Sequence, residues 1–231
     1  MSLSSVLTKH CPKFETSIPS TGNRVWFRPF LVKEEKKLLT IQEFGTDAEI
    51  VNCILEILES CFDSNIIRSL PVFDIEYLFL KLRTKSIGSV VTPTIICPYT
   101  GETIKTSIDL DEIIISFDPS HTKSLDLGNN IILTMKHPTM EMFMHTNHEN
   151  SIYDVALSCI DTIQTTDELI EGSTQSKAEL EDFLNSMSSS QFKQITHFFE
   201  TVPKMEKVVT YTTSDKTERS IVLRGIKDFF R

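Results

Sequence analysis

The chain has 231 residues, 40% of them hydrophobic, so it is long enough to bury a sizeable core in one large domain or two small ones. Its formal net charge of -9 and its sequence pI near 5.2 argue against a surface for duplex nucleic acid, which clustered Lys and Arg usually form. No apolar run approaches the roughly 18 residues of a membrane span, and the first residues lack the pattern of a secretory signal.

The cysteines are odd in number and widely spaced, a pattern that does not indicate a disulfide framework. They are Cys11, Cys53, Cys61, Cys97 and Cys159. Cys53 and Cys61 fall within a helical pattern and are predicted to be small apolar core residues. Reduced thiols in a cytosol fit this usage best.

The first predicted element is a β-hairpin between Phe14 and Phe30, with a turn at residues 19–23 that contains Pro19 and Gly22. Arg24 and Arg28 flank Trp26, the only tryptophan. Such a cluster is also found in stacking platforms for single-stranded nucleic acid, but ordinary strand packing is the favoured interpretation in an acidic chain.

Three helices are predicted next. Residues 32–39 form a short amphipathic segment, and Thr46 with Glu49 matches a capping box before apolar residues at helical spacing up to Phe62. Residues 70–83 have apolar side chains on more than one side, so they are predicted to form the central helix. Asp74 is expected to accept hydrogen bonds from amides of its first turn.

Residues 90–110 are rich in β-branched side chains on both sides of a turn at 97–101, which predicts a second hairpin. The turn resembles a zinc-ribbon knuckle, but Thr100 occupies the position of the second cysteine, and no spacing brings His10 or Cys11 to Cys97. A zinc-stabilised module is therefore an alternative interpretation, and no metal ligand is predicted.

A search for catalytic motifs leaves one acidic cluster to consider. Asp109, Asp111 and Glu112 are close enough in sequence for a carboxylate pair or a magnesium site, but acids at a strand end are usually solvated. The sequence contains no glycine-rich phosphate loop, no His-Glu-x-x-His and no Gly-x-Ser-x-Gly. No catalytic residue, no cofactor and no enzymatic activity are predicted.

The second half of the chain alternates short strands and helices. Strands are predicted at residues 113–115 and 131–135, forming a small sheet with the hairpin of Cys97, and a polar loop is predicted at 164–174. A helix is slightly favoured over a strand from Ile152 to Ile163. Capping boxes at Ser176 and Ser188 start two further helices, and residues 208–223 predict a third hairpin.

These elements predict an α+β fold, with a helical core and three antiparallel β-hairpins, at least one of them in a small sheet. The segments are 1–87 (hairpin and helices), 88–137 (hairpin or small-sheet insert) and 138–231 (helices, hairpin and aromatic tail), packed as one compact unit. Two apolar segments are candidate partner-binding surfaces, because methionine adapts to partners and aromatic residues anchor interfaces. They consist of Met140, Met142, Phe143 and Met144 in one, and Phe229 and Phe230 in the other.

Five segments together resemble the T4-type bacteriophage baseplate hub proteins, a family with a hub subunit and a hub assembly factor. They are residues 25–36 (starting Val-Trp-Phe-Arg-Pro-Phe), 70–83, 97–110, 191–204 and 223–230 (Leu-Arg-Gly-Ile-Lys-Asp-Phe-Phe). Members carry a fuller Cys-Pro-x-Cys-Gly in the hairpin, where this chain has Thr100, a departure that weakens the case for metal binding.

The resemblance implies a non-enzymatic component or assembly factor of the central baseplate hub of a contractile-tailed phage. It would act by contacts with other hub and tail proteins in the cytoplasm of the infected bacterium, with its presence in the virion and a homo-oligomer left open. No membrane partner is implied, and nucleic acid is disfavoured. The alternative is a nucleic-acid-binding or zinc-stabilised binding module.

Overall fold

The computed structural model describes residues 10–144 and 152–226, without the side chains of Gln42, Phe143 and Met144. It confirms the predicted α+β class. The helices are α1 (Val32–Phe44), α2 (Asp47–Cys61), α3 (Val72–Ser86), α4 (Met140–Met144), α5 (Ile152–Cys159), α6 (Lys177–Asn185) and α7 (Ser189–Thr201). The strands are β1 (Phe14–Ser17), β2 (Arg24–Phe27), β3 (Val90–Val91), β4 (Thr94–Ile96), β5 (Thr103–Lys105), β6 (Ile108–Asp109), β7 (Ile114–Ser116), β8 (Ser124–Gly128), β9 (Ile131–Met135), β10 (Ile160–Gln164), β11 (Leu169–Glu171), β12 (Lys204–Thr212) and β13 (Glu218–Arg224).

The chain divides into two compact units. Unit 1 comprises the described parts of Met1–Ser116 and Lys204–Arg231, and unit 2 comprises Phe117–Pro203. Unit 1 is discontinuous in sequence, because its last hairpin returns to the unit that the first 116 residues build. The three-segment division inferred from the sequence stays a prediction.

Unit 1 is built around helix α3. Its apolar residues are buried on more than one side of the helix, as their density in the sequence predicts. They are Phe73, Ile75, Leu78, Phe79, Leu80 and Leu82. The helix contacts α2 as well as strands β7 and β12, so a sheet and a second helix cover different sides of it.

Asp74 has a different role from the one that its position suggested. Its carboxylate accepts a hydrogen bond from the backbone N–H of Ser20 at 2.9 Å and another from the Ser20 hydroxyl. Pro71 is the residue before the helix, and it forms no side-chain cap. The fully buried Asp74 therefore ties the first hairpin turn to α3, a long-range contact that no local pattern reveals.

The three predicted capping boxes are confirmed. In each, the capping hydroxyl accepts from the backbone N–H three residues later, and that residue's side chain accepts from the capping residue's backbone N–H. The pairs are Thr46 with Glu49, Ser176 with Glu179, and Ser188 with Gln191.

The three predicted hairpins are also present in unit 1, as β1 with β2, β4 with β5, and β12 with β13, all antiparallel. The predicted partners of β7 and β9 were wrong. Strand β7 pairs with β12, whereas β9 pairs with β8 and β10. Strand propensity identifies an extended segment but carries no information about which distant strand it will pair with.

Unit 2 has a four-stranded antiparallel sheet in the order β11-β10-β9-β8, with helices α5 to α7 around its core. The ambiguous segment from Ile152 resolves into both predicted forms, a helix to Cys159 and then strand β10. The expected polar loop contains β11, which pairs with β10. Leu133, Met135, Ile195 and Phe198 are among the buried residues at the centre of this unit.

Candidate partner-binding surfaces

The outer face of the three-stranded sheet in unit 1 carries exposed apolar side chains. The strand order is β13-β12-β7, and alternate residues point to opposite faces of each strand. Val208 of β12 lies directly opposite Val222 of β13. Glu206, two residues before Val208 and on the same face of β12, lies opposite Ile114 of β7. The exposed fractions of Val208, Val222 and Ile114 are 58%, 40% and 69%. We call Ile114, Val208 and Val222 the outer sheet surface.

One ion pair crosses the same face. Arg224 Nε donates to Glu206 Oε2 at 3.2 Å, between the strands that carry the valine pair. The other outward positions of β12 and β13 include Thr210 and Ser220, which face each other. The outer sheet surface is therefore a small apolar area with a polar border, the composition expected of a contact surface.

The methionine segment lies in helix α4 of unit 2. Met140 and Met142 are both half-buried, and Met142 packs against the hydrophobic core of that unit. Its sulfur lies 3.8 Å from the thiol of Cys159. The side chains of Phe143 and Met144 lie outside the described part of the structure. Contacts with the core are therefore described for Met142.

Phe229 and Phe230 also lie outside the described residues. The last described residues lie beside helix α3: Gly225 adopts a left-handed φ of +64°, and a Cβ there would lie 2.6 Å from Glu76 Oε1. Burial raises the pKa of Glu76 to about 7, although its carboxylate accepts a hydrogen bond from the Ile226 N–H. The C-terminal strand thus ends against helix α3.

The aromatic and arginine cluster of the first hairpin is engaged within unit 1. The Arg28 guanidinium donates to Glu34 Oε1 at 2.9 Å and to the Ser60 carbonyl oxygen at 3.0 Å. Arg24 lies 3.4 Å from Glu15 across the strands, while Trp26 is 48% exposed. Arg28 is therefore held by a buried carboxylate inside unit 1, whereas Arg24 stays largely exposed beside Trp26.

The acidic cluster after β6 is likewise occupied by local contacts. Asp109 accepts from the Asp111 N–H at 3.0 Å, Asp111 lies 3.5 Å from Lys81, and Glu112 accepts from Lys207 at 2.9 Å. Asp111 and Glu112 thus face two different lysines, and Asp109 accepts from a backbone amide, so each carboxylate has a partner of its own. These contacts explain the three carboxylates by a role in stabilising unit 1.

Cys97 lies in a tight turn, where its carbonyl oxygen accepts from the Gly101 N–H at 2.8 Å. Burial disfavours the thiolate, but the hydroxyls of Thr100 and Tyr211 and the N–H groups of the turn lower the pKa of Cys97 to about 7. The side chain is only 1% exposed. Across residues 10–144 and 152–226, no three His, Cys, Asp or Glu side chains converge into a group that would hold a metal ion.

A histidine pair in unit 2 was not predicted from the sequence. His121 Nε2 lies 2.9 Å from His137 Nε2; the His137 ring stacks on Phe198 and the His121 ring packs against it at a tilt. His121 Nδ1 lies 3.0 Å from the Thr201 hydroxyl, which donates its own proton to the His197 carbonyl at 2.8 Å. His121 must therefore donate to Thr201, which leaves its Nε2 to accept from His137.

Both imidazoles of this pair are neutral near pH 7. Burial lowers the pKa of each, to about 4 for His137, and the neighbouring Lys123 acts in the same direction. Sixteen positions separate the two histidines in the chain, and Phe198 is farther still. Only the hairpin of β8 and β9 and helix α7 bring them together, so no short motif would have identified the pair.

None of the helices within the described residues is both long enough and apolar enough to cross a membrane. A model of the family described as "T4 bacteriophage base plate protein" matches residues 11–231 of the chain. Comparisons with curated proteins and with solved structures gave no match.

Proposed function

The chain belongs to the T4 bacteriophage base plate protein family, and from this premise we propose that it is a non-enzymatic component or assembly factor of the central baseplate hub. It acts in the cytoplasm of the infected bacterium on the contractile tail. Its partners are other hub and tail proteins, which it binds through surfaces rather than through a reactive site.

The observation that carries this proposal is the outer sheet surface of unit 1. Ile114, Val208 and Val222 are exposed on one face of an antiparallel sheet, where exposed apolar groups favour contact with another protein. By contrast, Arg28 and the carboxylates after β6 are engaged in internal ion pairs. The polar groups stabilise the fold, and the apolar face is available for a partner.

The methionine segment and the C-terminal aromatic residues are further partner-binding candidates. Met140, Met142, Phe143 and Met144 all belong to the five-residue helix α4. Phe229 and Phe230 come after strand β13 in the sequence. Because Met142 packs against the core, we propose that it holds α4 in place. We propose that Met140, Phe143 and Met144 make the contact with the partner.

The test is affinity capture of the tagged full-length protein from infected cells, followed by identification of the co-purifying proteins. We expect other baseplate proteins with the unaltered chain and their loss with Val208→Glu, because a charge at the centre of the apolar face would be buried by the partner. Thr210→Glu is the matched control, since it adds the same charge on the same strand and face at a polar position.

Two results would contradict the proposal. One is capture of no baseplate protein by the unaltered chain, and the other is turnover of a substrate by the purified protein. Whether the protein stays in the particle is a separate question, which its presence or absence among the proteins of purified virions answers.

A further inference from the structure

Strand β13 is an open edge. The sheet order places β12 on one side of it, and no strand of the described residues lies on its other side. It has seven residues in uninterrupted register with β12, whereas β7 and β11 have three each and the edge strand β8 contains a register shift. Edge strands usually carry protection such as a proline, a bulge or a central lysine. β13 has no proline, bulge or lysine, and its charged residues Glu218, Arg219 and Arg224 lie near its two ends, so its centre is unprotected.

The direction of its backbone groups follows from the hairpin turn. Thr213 N–H donates to the Thr217 carbonyl at 3.1 Å, which makes this a hydrogen-bonded pair. Pairs alternate along an antiparallel ladder, so Arg219, Ile221 and Leu223 direct their backbone groups toward β12. The backbone groups of Glu218, Ser220, Val222 and Arg224 therefore point away from β12.

The outward groups of Ser220 and Val222 are not used elsewhere. Within the described ranges, no backbone or side-chain hydrogen bond joins them to another part of the chain. Unpaired N–H and C=O groups in a row form a template for another strand. A partner strand that binds there must also direct its own backbone groups outward at matching positions.

We propose that β13 pairs with the β13 strand of a second copy of this chain, antiparallel and centred on Ile221. In this register Glu218 lies opposite Arg224 of the other copy, and Ser220 lies opposite Val222. All four residues are ones whose backbone groups point outward, so the alternation of hydrogen bonds is satisfied on both strands. The result is a two-fold symmetric dimer with a continuous six-stranded sheet.

Charge favours this register over shifted ones. Two-fold symmetry forms the Glu218–Arg224 pair twice, at both ends of the paired region, and opposite charges facing each other across strands are stabilising. Arg224 also donates to Glu206 in its own chain, but a guanidinium has five N–H donors and can bind two carboxylates. A shift by two residues would lose both pairs and shorten the overlap.

The experiment is sedimentation velocity of the purified full-length protein from about 1 to 100 μM, a range that covers typical micromolar association. We expect a dimer, and we expect Val222→Pro to be monomeric at every concentration, because proline removes an outward N–H and spares those bonded to β12. Val222→Thr is the matched control: it keeps the N–H and the β-branched shape, so it should dimerise like the unaltered chain.

A second pair of variants tests the register and does not depend on proline being tolerated. Glu218→Arg should raise the dissociation constant about tenfold or more, since it places like charges opposite each other twice. Adding Arg224→Glu to it should restore dimerisation. A monomer at all concentrations overturns the proposal, as does a dimer that neither Val222→Pro nor Glu218→Arg weakens. Pairing of the β13 edge with a strand of a different phage protein, in place of a second copy, would also overturn the proposal. That result would leave the proposed hub function intact.

Discussion

The two units of the molecule bury polar side chains in opposite ways. Unit 1 buries a charged pair, Arg28 with Glu34, and Glu34 is only 5% exposed. Unit 2 partly buries two imidazoles, His121 and His137, which are neutral because this burial lowers the pKa of each. A buried charge needs a permanent partner, whereas a buried imidazole needs only to stay unprotonated. The difference predicts that the units respond differently to mutation and to acid.

The largest effect is expected when the charged pair of unit 1 is broken. Glu34 accepts from Arg28, the Leu31 N–H and the Ser60 hydroxyl, which together outweigh burial and lower the pKa of its carboxyl. Glu34→Ala would leave the half-buried guanidinium without its counter-ion. We expect a loss of about 3 to 5 kcal/mol in the free energy of unfolding, measured by urea denaturation.

Glu35→Ala is the control for this substitution. Glu35 is the next residue of the same helical turn but is exposed, so its removal should change the free energy of unfolding by less than about 0.5 kcal/mol. If Glu34→Ala is no more destabilising than Glu35→Ala, the buried ion pair is not the main connection between the first hairpin and helices α1 and α2.

The sequence predicts local features of both units far better than it predicts these clusters. Capping boxes at Thr46, Ser176 and Ser188 are visible because the interacting residues are three positions apart. The dense apolar pattern of residues 70–83 likewise predicts a helix that is buried on several sides. Both signals depend on spacing within one element, and the structure confirms both.

The long-range features could not be predicted, for a physical reason. Asp74 looks like a helix cap because it lies in the first turn of α3. Its contact with Ser20 is hidden from the sequence because the two residues are 54 positions apart. The same limit hides the pairing of β7 with β12 and the approach of His121 to His137. The methionine and phenylalanine segments can be chosen as candidate surfaces from their amino-acid composition alone. The outer sheet surface and the β13 edge cannot, because they depend on the order of the strands in the sheet.

The second prediction concerns acid and unit 2. The pKa of His137 is lowered from 6.5 to about 4, so the unfolded chain takes up the proton first as the pH falls. The stabilising contribution of the neutral His137 ring is therefore complete above pH 6.5 and is lost as the pH falls toward 4. Because solvent reaches part of this ring and screens its charge, we expect the loss to be about 1 to 2 kcal/mol. Asp118 opposes this loss for His121, while Lys123 and the exposed His197 add to it.

His137→Gln tests this interpretation, because the amide still donates to His121 but does not titrate. We expect thermal unfolding of this variant between pH 4.5 and 6.5 to lose most of the pH dependence of the unaltered protein. His197→Gln removes an exposed histidine of the same unit that acts on His121 only through its charge, so it should remove a smaller part of that dependence than His137→Gln does. Equal behaviour of the two variants would mean that the buried pair does not control the acid response.

An effect no larger than this is expected at Glu76, a half-buried carboxyl of unit 1 on which no cation of the described residues acts. Its pKa is raised from 4.5 to about 7, so its contribution to stability is complete below pH 4.5 and is lost as the pH rises through 7. Partial exposure reduces the loss to about 1 to 2 kcal/mol.

Glu76→Gln keeps the oxygen that accepts from Ile226 and should be more stable than the unaltered chain at pH 7.5 but not at pH 4.5. Glu35→Gln, at an exposed position, should show no such crossover. Opposite pH slopes at Glu76 and His137 would establish that each unit is limited by a different kind of buried group, and equal slopes would remove the distinction between them.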